Sequence, residues 1–195
     1  MDECGLQWYV FGAQAAIIWG SSRLSADVDV TAAIEPETLA HYTDAMSSHG
    51  FEPVIDDSEF VARTRVLPFV HRTSGMPLDV VLAGPGLEEE FLRRAIPVDV
   101  DGTLVPVISP EDLIVTKILA GRPKDIEDIR SVIHQRGASL DEARIREVLS
   151  LLEEALGHSD LLPVFEKEWD ERRRDSTAAK KAGHLSKPKR KPKKK

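Results

Sequence analysis

Residues 12–30 read GAQAAIIWGSSRLSADVDV, and this stretch decides the fold. Gly12 closes the β-prone run Trp8-Tyr9-Val10-Phe11, and the Ala/Ile-rich segment Ala13–Trp19 suits a buried helix stopped by Gly20-Ser21-Ser22. From Ala26 to Ala32 polar and apolar residues alternate as Asp27, Val28, Asp29, Val30, Thr31, the period-2 signature of a strand. On a strand, residues two apart project to the same face about 6.6 Å from one another. Asp27 and Asp29 therefore stand together, with Val28 and Val30 turned away. Two carboxylates so placed suit a hard cation such as Mg²⁺, which takes oxygen ligands at about 2.1 Å. Taken alone, an Asp-x-Asp on a strand is more often a solvated outer face.

Asp79 interrupts the otherwise apolar run Leu78-Asp79-Val80-Val81 and supplies a third acid. Charges 4 Å apart repel by about 4 kcal/mol per pair at an effective dielectric of 20, so a carboxylate trio without a cation is a poor structural choice. The Gly12 turn also leads into a helix N-terminus, whose free N–H groups and dipole favour phosphate. A phosphate cradle and a metal site are thus expected from neighbouring strands of one sheet.

Outward from this stretch, Pro36 to Ser48 reads as a helix stopped at Gly50. The runs Arg65–Arg72 and Pro77–Leu82 read as a hairpin across Thr73-Ser74-Gly75, and Leu87–Arg94 reads as a helix. Asp101-Gly102 is a tight-turn signal between two further short strands. Ser109 caps a helix with Pro110 at its first position. Helices are expected over 111–120, 124–135, 141–156 and 161–174. Strands mixed with helices, then a helical run, predict an α+β fold: a small mixed sheet in a core over 1–136, a helical portion over 137–174, and a basic tail over 175–195. That tail has almost nothing to bury and is expected to be disordered.

The chain has 195 residues and a net charge of −7, which averages two unlike parts. Residues 171–195 carry 12 Lys/Arg against 2 Asp/Glu, leaving 14 against 31 in the first 170. No apolar stretch approaches the roughly 18 residues of a membrane span, and the acidic start does not read as a secretory signal, so a cytoplasmic location is expected. Cys4 is the only cysteine, which excludes an internal disulfide and a Cys-based metal cage. The six histidines form no His-x-x-x-His pair, and there is no Gly-x-x-x-x-Gly-Lys-Ser/Thr loop.

The run GAQAAIIWGSSRLSADVDV resembles the nucleotidyltransferases of the polymerase-β type, in which a glycine-containing turn is followed by Asp-x-Asp and a later strand carries a third Asp. More narrowly it is similar to prokaryotic stand-alone minimal nucleotidyltransferases, including relatives of abortive-infection (AbiEii-type) toxins. The matching positions are Gly12, Arg23, Ser25, Asp27, Asp29 and Asp79, then Lys117, Arg122, Lys124, Asp125 and Asp128. Many members carry Ser where this chain has Ala13, and a helix ahead of the first strand where six residues precede Gln7 here.

The resemblance implies transfer of a nucleoside monophosphate from an NTP to a hydroxyl of a protein, RNA or small-molecule acceptor, with release of pyrophosphate. It implies that Asp27, Asp29 and Asp79 are catalytic and hold Mg²⁺ or Mn²⁺, as two ions. It implies further that Gly12, Ala13, Arg23, Lys117 and Lys124 bind the nucleotide and its phosphates. The alternative for Arg23 and Lys117 is a surface salt bridge, and Asp125 and Asp128, three apart on one helix face, read as braces of that helix against the sheet. The alternative to an active enzyme is a catalytically weak module of this fold, or a toxin–antitoxin component acting through partner or nucleic-acid contacts. The basic tail reads either as a salt-sensitive nucleic-acid contact or as a solubilising extension.

Overall fold

The computed structural model describes residues 1–55 and 57–185, the side chains of Pro36 and 176–185 excepted. A single turn of 3₁₀-helix, Asp2–Cys4, precedes β1 (Trp8–Phe11), α1 (Gly12–Trp19) and β2 (Val28–Ala32). A second such turn, Pro36–Thr38, leads into α2 (Leu39–Ser48), then β3 (Phe51–Pro53), α3 (Ser58–Thr64), β4 (Val66–His71) and β5 (Pro77–Leu82). The chain continues through α4 (Leu87–Arg94), β6 (Ile96–Val100) and β7 (Thr103–Val107). It ends in the helices α5 (Pro110–Ala120), α6 (Pro123–Arg136), α7 (Glu142–Leu156) and α8 (Leu161–Leu185).

The strands form one mixed sheet of seven in the order β3-β4-β5-β2-β1-β7-β6. β2 sits at its centre, antiparallel to β1 and parallel to β5. The expected hairpin is the antiparallel pair β4–β5, and the second is β6–β7. Asp101 and Gly102 both take positive φ, 51° and 85°, which the tight turn of that second hairpin demands.

Strand alternation divides the core. Val10, Val30, Leu67, Phe69, Leu78 and Val80 face Tyr42, Met46 and Val61 of α2 and α3 on one side of the sheet. Tyr9 and Val107 join Ala15, Ala16, Trp19, Leu113, Ile114, Ile129 and Ile133 on the other. Each large buried side chain contributes about 1.5–3 kcal/mol, so these two layers fix which strand residues point where. Trp19 Nε1 donates to the Ile108 carbonyl at 2.8 Å and ties α1 to the end of β7. Ile145, Leu149, Phe165 and Trp169 enter the same buried cluster, so α7 and α8 share the core of α1, α5 and α6.

The Ser109 cap forms as expected, its Oγ accepting from the Asp112 N–H at 3.1 Å with Pro110 at the first helical position. Three elements differ from the sequence expectation. The short β3 and α3 arise inside a stretch too polar and too short to show a period. α8 continues through 175–185, beyond the expected end at Arg174, because Ala and Lys there are strong helix formers. The rest of the tail expected to be disordered, 186–195, lies outside the described residues.

Candidate functional site

The acids come to one place through strand register. Asp29 of β2 lies directly opposite Asp79 of the parallel β5, and opposite Phe11 at the end of β1. Asp27 sits two residues before Asp29, at the end of the connection from α1. All three line one cavity of about 360 Å³, with Gly12, Ala13, Arg23, Ser25, Thr116, Lys117, Arg122, Lys124 and Asp125. Every residue singled out in the sequence for metal or phosphate therefore borders the same space.

Gly12 explains itself. Its φ is +66°, and a Cβ added there would lie 2.0 Å from Asp29 Oδ2, so the carboxylate rests where a side chain would stand. The chain turns from β1 into the first turn of α1 at this point, and α1 begins at Gly12 beside the acids. Ala13 is buried against the cavity and offers backbone only.

The acids carry a cost. Burial, then the charges of Asp27 and Asp79, push Asp29 above its ordinary value, against the opposing pull of Lys117 and Arg122. Burial and then Asp27 push Asp79 up as well. Asp27 takes a hydrogen bond from Ser25 Oγ, and its backbone carbonyl accepts from Gln14 Nε2 at 3.1 Å. Oxygen donors that repel one another in a partly buried cavity match a hard divalent cation, the group that would remove the penalty. Among the described residues no group of three His, Cys, Asp or Glu side chains is arranged to hold a metal ion.

The cations on the opposite wall are tied to α6. Lys117, only 4% exposed, donates from Nζ to Asp128 at 2.8 Å and to Asp125 at 3.2 Å. Arg122 forks onto Asp125 at 2.5 and 3.2 Å, and Arg23 onto Asp128 at 3.4 and 3.2 Å. Ser21 Oγ donates to Asp128 at 2.8 Å and accepts from the Arg23 N–H at 3.3 Å. Burial alone would raise Asp125 and Asp128. The hydrogen bonds from Arg122 and Lys117 to the first, and from Lys117, Arg23 and Ser21 to the second, outweigh it and hold both below the ordinary value. These acids therefore brace α6 against α5 and the connection before β2, rather than against the sheet. Arg23 and Lys117 are ion-paired, as the salt-bridge alternative allowed, but not at the surface: Lys117 is buried together with both its acids, and Arg23 is half-buried against a buried one. Lys124 lines the cavity exposed at its mouth.

Sequence reasoning missed Gln14, Ser21 and Thr116. Thr116 lies one residue before Lys117 on α5, where periodicity marks only the apolar face. Ser21 reads as part of a helix stop, and its partner lies 107 residues away.

No curated protein matches the chain. Its fold is similar to that of a nucleotidyltransferase-like antigenic protein from Paracoccidioides brasiliensis, at 17% identity and a TM-score of 0.52 over 85% of this chain and 86% of that one. It is also similar to the antibiotic-resistance factor ANT(2″)-Ia, solved in complex with adenylyl-2″-tobramycin, at 17% identity and a TM-score of 0.55 over 80% and 91%. At these identities the likeness is one of fold. The family described as nucleotidyltransferase of unknown function (DUF6036) matches residues 3–144, which hold the whole sheet and every residue lining the cavity. The chain therefore belongs to this family of nucleotidyltransferases.

Proposed function

We propose that this nucleotidyltransferase moves a nucleoside monophosphate from an NTP to an acceptor hydroxyl and releases pyrophosphate, with Asp27, Asp29 and Asp79 holding Mg²⁺ or Mn²⁺. The observation that carries this reading is the placement of Asp29 opposite Asp79 in register, with Asp27 beside them and four basic residues lining the same cavity. Two bound ions would stabilise the attacking and leaving oxygens of an in-line displacement. The bond that forms joins the acceptor oxygen to the α-phosphorus, and the bond that breaks joins that phosphorus to the oxygen leaving with pyrophosphate. Asp79, on the strand beside β2, orients the attacking hydroxyl and takes its proton as the new bond forms. Lys117, Arg122 and Arg23 present donors to the triphosphate, and the first turn of α1 at Gly12 and Ala13 offers its backbone N–H groups. Lys124 meets the triphosphate at the cavity mouth.

The fold similarity to ANT(2″)-Ia supports a small hydroxylated molecule as one acceptor class, with an RNA end and a protein hydroxyl as the others. The tail, net +10 over 171–195, supports a polyanionic acceptor that the acidic remainder would repel. The test is transfer from each labelled NTP, with Mg²⁺ or Mn²⁺, to total RNA, to total protein and to a panel of aminoglycosides, for wild type and Asp29→Ala. Labelling by wild type alone supports the assignment. Equal labelling by both proteins removes these acids from the chemistry.

A further inference from the structure

The acid at the start of the catalytic strand is not held by the sheet. β2 begins at Val28, so Asp27 belongs to the connection 21–27, which carries no regular structure. Its Leu24 is 92% exposed, so apolar packing does not fix it. Two anchors hold its two ends. Toward the start, Ser21 and Arg23 bind Asp128. Toward Asp27, the side chain of Gln14, on the first turn of α1, reaches across. Its Nε2 donates to the Asp27 carbonyl at 3.1 Å and to the Ser25 carbonyl at 3.4 Å.

Both partners are carbonyls, which only accept. An amide with two N–H donors on one nitrogen satisfies them together, and the opposite orientation would set Oε1 against two oxygens. Gln14 lies two residues beyond Gly12, so the same turn of α1 that sits beneath Asp29 also grips the backbone that carries Asp27.

We propose that Gln14 is a positioning residue: by holding the Ser25 and Asp27 carbonyls it sets the Asp27 carboxylate toward Asp29, and so sets the affinity of the acid pair for a divalent cation. The inference rests on the metal-dependent reading above. A glutamate here keeps the length and shape but loses the N–H donors, and a methionine keeps the helix propensity without polar atoms.

The experiment compares wild type, Gln14→Glu and Gln14→Met by amide hydrogen exchange, by calorimetric titration with Mn²⁺, and by the Mg²⁺ concentration that gives half-maximal transfer. The expected result in both variants is faster exchange over 24–28 with unchanged exchange in α5 and α6. Mn²⁺ affinity is expected to fall by about tenfold to a hundredfold, the usual cost of losing an orienting partner, with a matching rise in the Mg²⁺ requirement. Exchange and Mn²⁺ affinity equal to wild type in both variants would overturn the proposal. Should wild type itself take no Mn²⁺, the metal reading falls, and the exchange data alone decide whether Gln14 clamps the connection.

Discussion

At Asp29 two demands meet in one side chain: the proposed function needs it ionised to bind a cation, and burial beside Asp27 and Asp79 raises its proton affinity. The sign of the resulting stability effect is opposite to that of an ordinary ion-paired acid. A carboxylate whose folded value lies above its unfolded one costs stability at neutral pH, and the cost disappears as pH falls through the raised value. Asp29→Asn is therefore expected to raise the thermal midpoint of the metal-free protein at neutral pH, by thermal denaturation followed by circular dichroism. The same variant should lose transfer by on the order of a thousandfold, since ion-assisted charge stabilisation is worth several kcal/mol. Mg²⁺ should raise the midpoint of wild type, and at 100 times its dissociation constant the gain is about 2.7 kcal/mol. Asp29→Asn should show little of that gain. Gly12→Ala makes a second residue-scale test. Its Cβ would lie 2.0 Å from Asp29 Oδ2 on a backbone of φ +66°, and forcing a side chain into that conformation costs about 1–3 kcal/mol. Lower stability in urea and loss of transfer are expected together.

Between elements, α6 holds the basic wall. Asp125 and Asp128 are held below the ordinary carboxylate value, so they stabilise the fold above their unfolded value, and that support fades as pH falls through the lowered folded one. Removing Asp128 leaves Lys117 with one carboxylate in a buried setting, and breaking a buried pair costs about 3–5 kcal/mol. Asp128→Ala should lower the urea midpoint accordingly. Asp128→Asn, which keeps shape and a hydrogen-bond acceptor, should lose less stability while raising the KM for NTP. The three acids were legible because Asp27 and Asp29 make the polar half of an alternating run and Asp79 interrupts an apolar one, and the hairpins were legible because Thr73-Ser74-Gly75 and Asp101-Gly102 are turn signals. Partners were not. Ser21 meets Asp128 across 107 residues and Arg23 meets it across 105, and no local period records such pairings. Nor did β3 announce itself, since three residues ending in Pro53 carry no alternation to read.

Over the whole molecule, charge divides the chain as sharply as the fold does. The first 170 residues are strongly acidic, and the last 25 carry nearly half of the 26 basic residues. Among the described residues no helix is long and apolar enough to cross a membrane. If the tail serves a polyanionic acceptor, deleting 176–195 should weaken RNA binding and flatten its dependence on salt, measured by fluorescence anisotropy at two salt concentrations. Transfer to small acceptors should survive the deletion. The β2–β5 ladder has a consequence of its own. Side chains alternate with a period of two, so slipping either strand by one residue would set Asp29 beside Leu78 or Val80 and drive one carboxylate into the layer now filled by Tyr42 and Met46. The acid pair is thus locked by parity: Val28, Val30, Leu78 and Val80, which fill one face, forbid every one-residue slip that would part the acids on the other. Heat should consequently abolish transfer and melt the sheet in a single step.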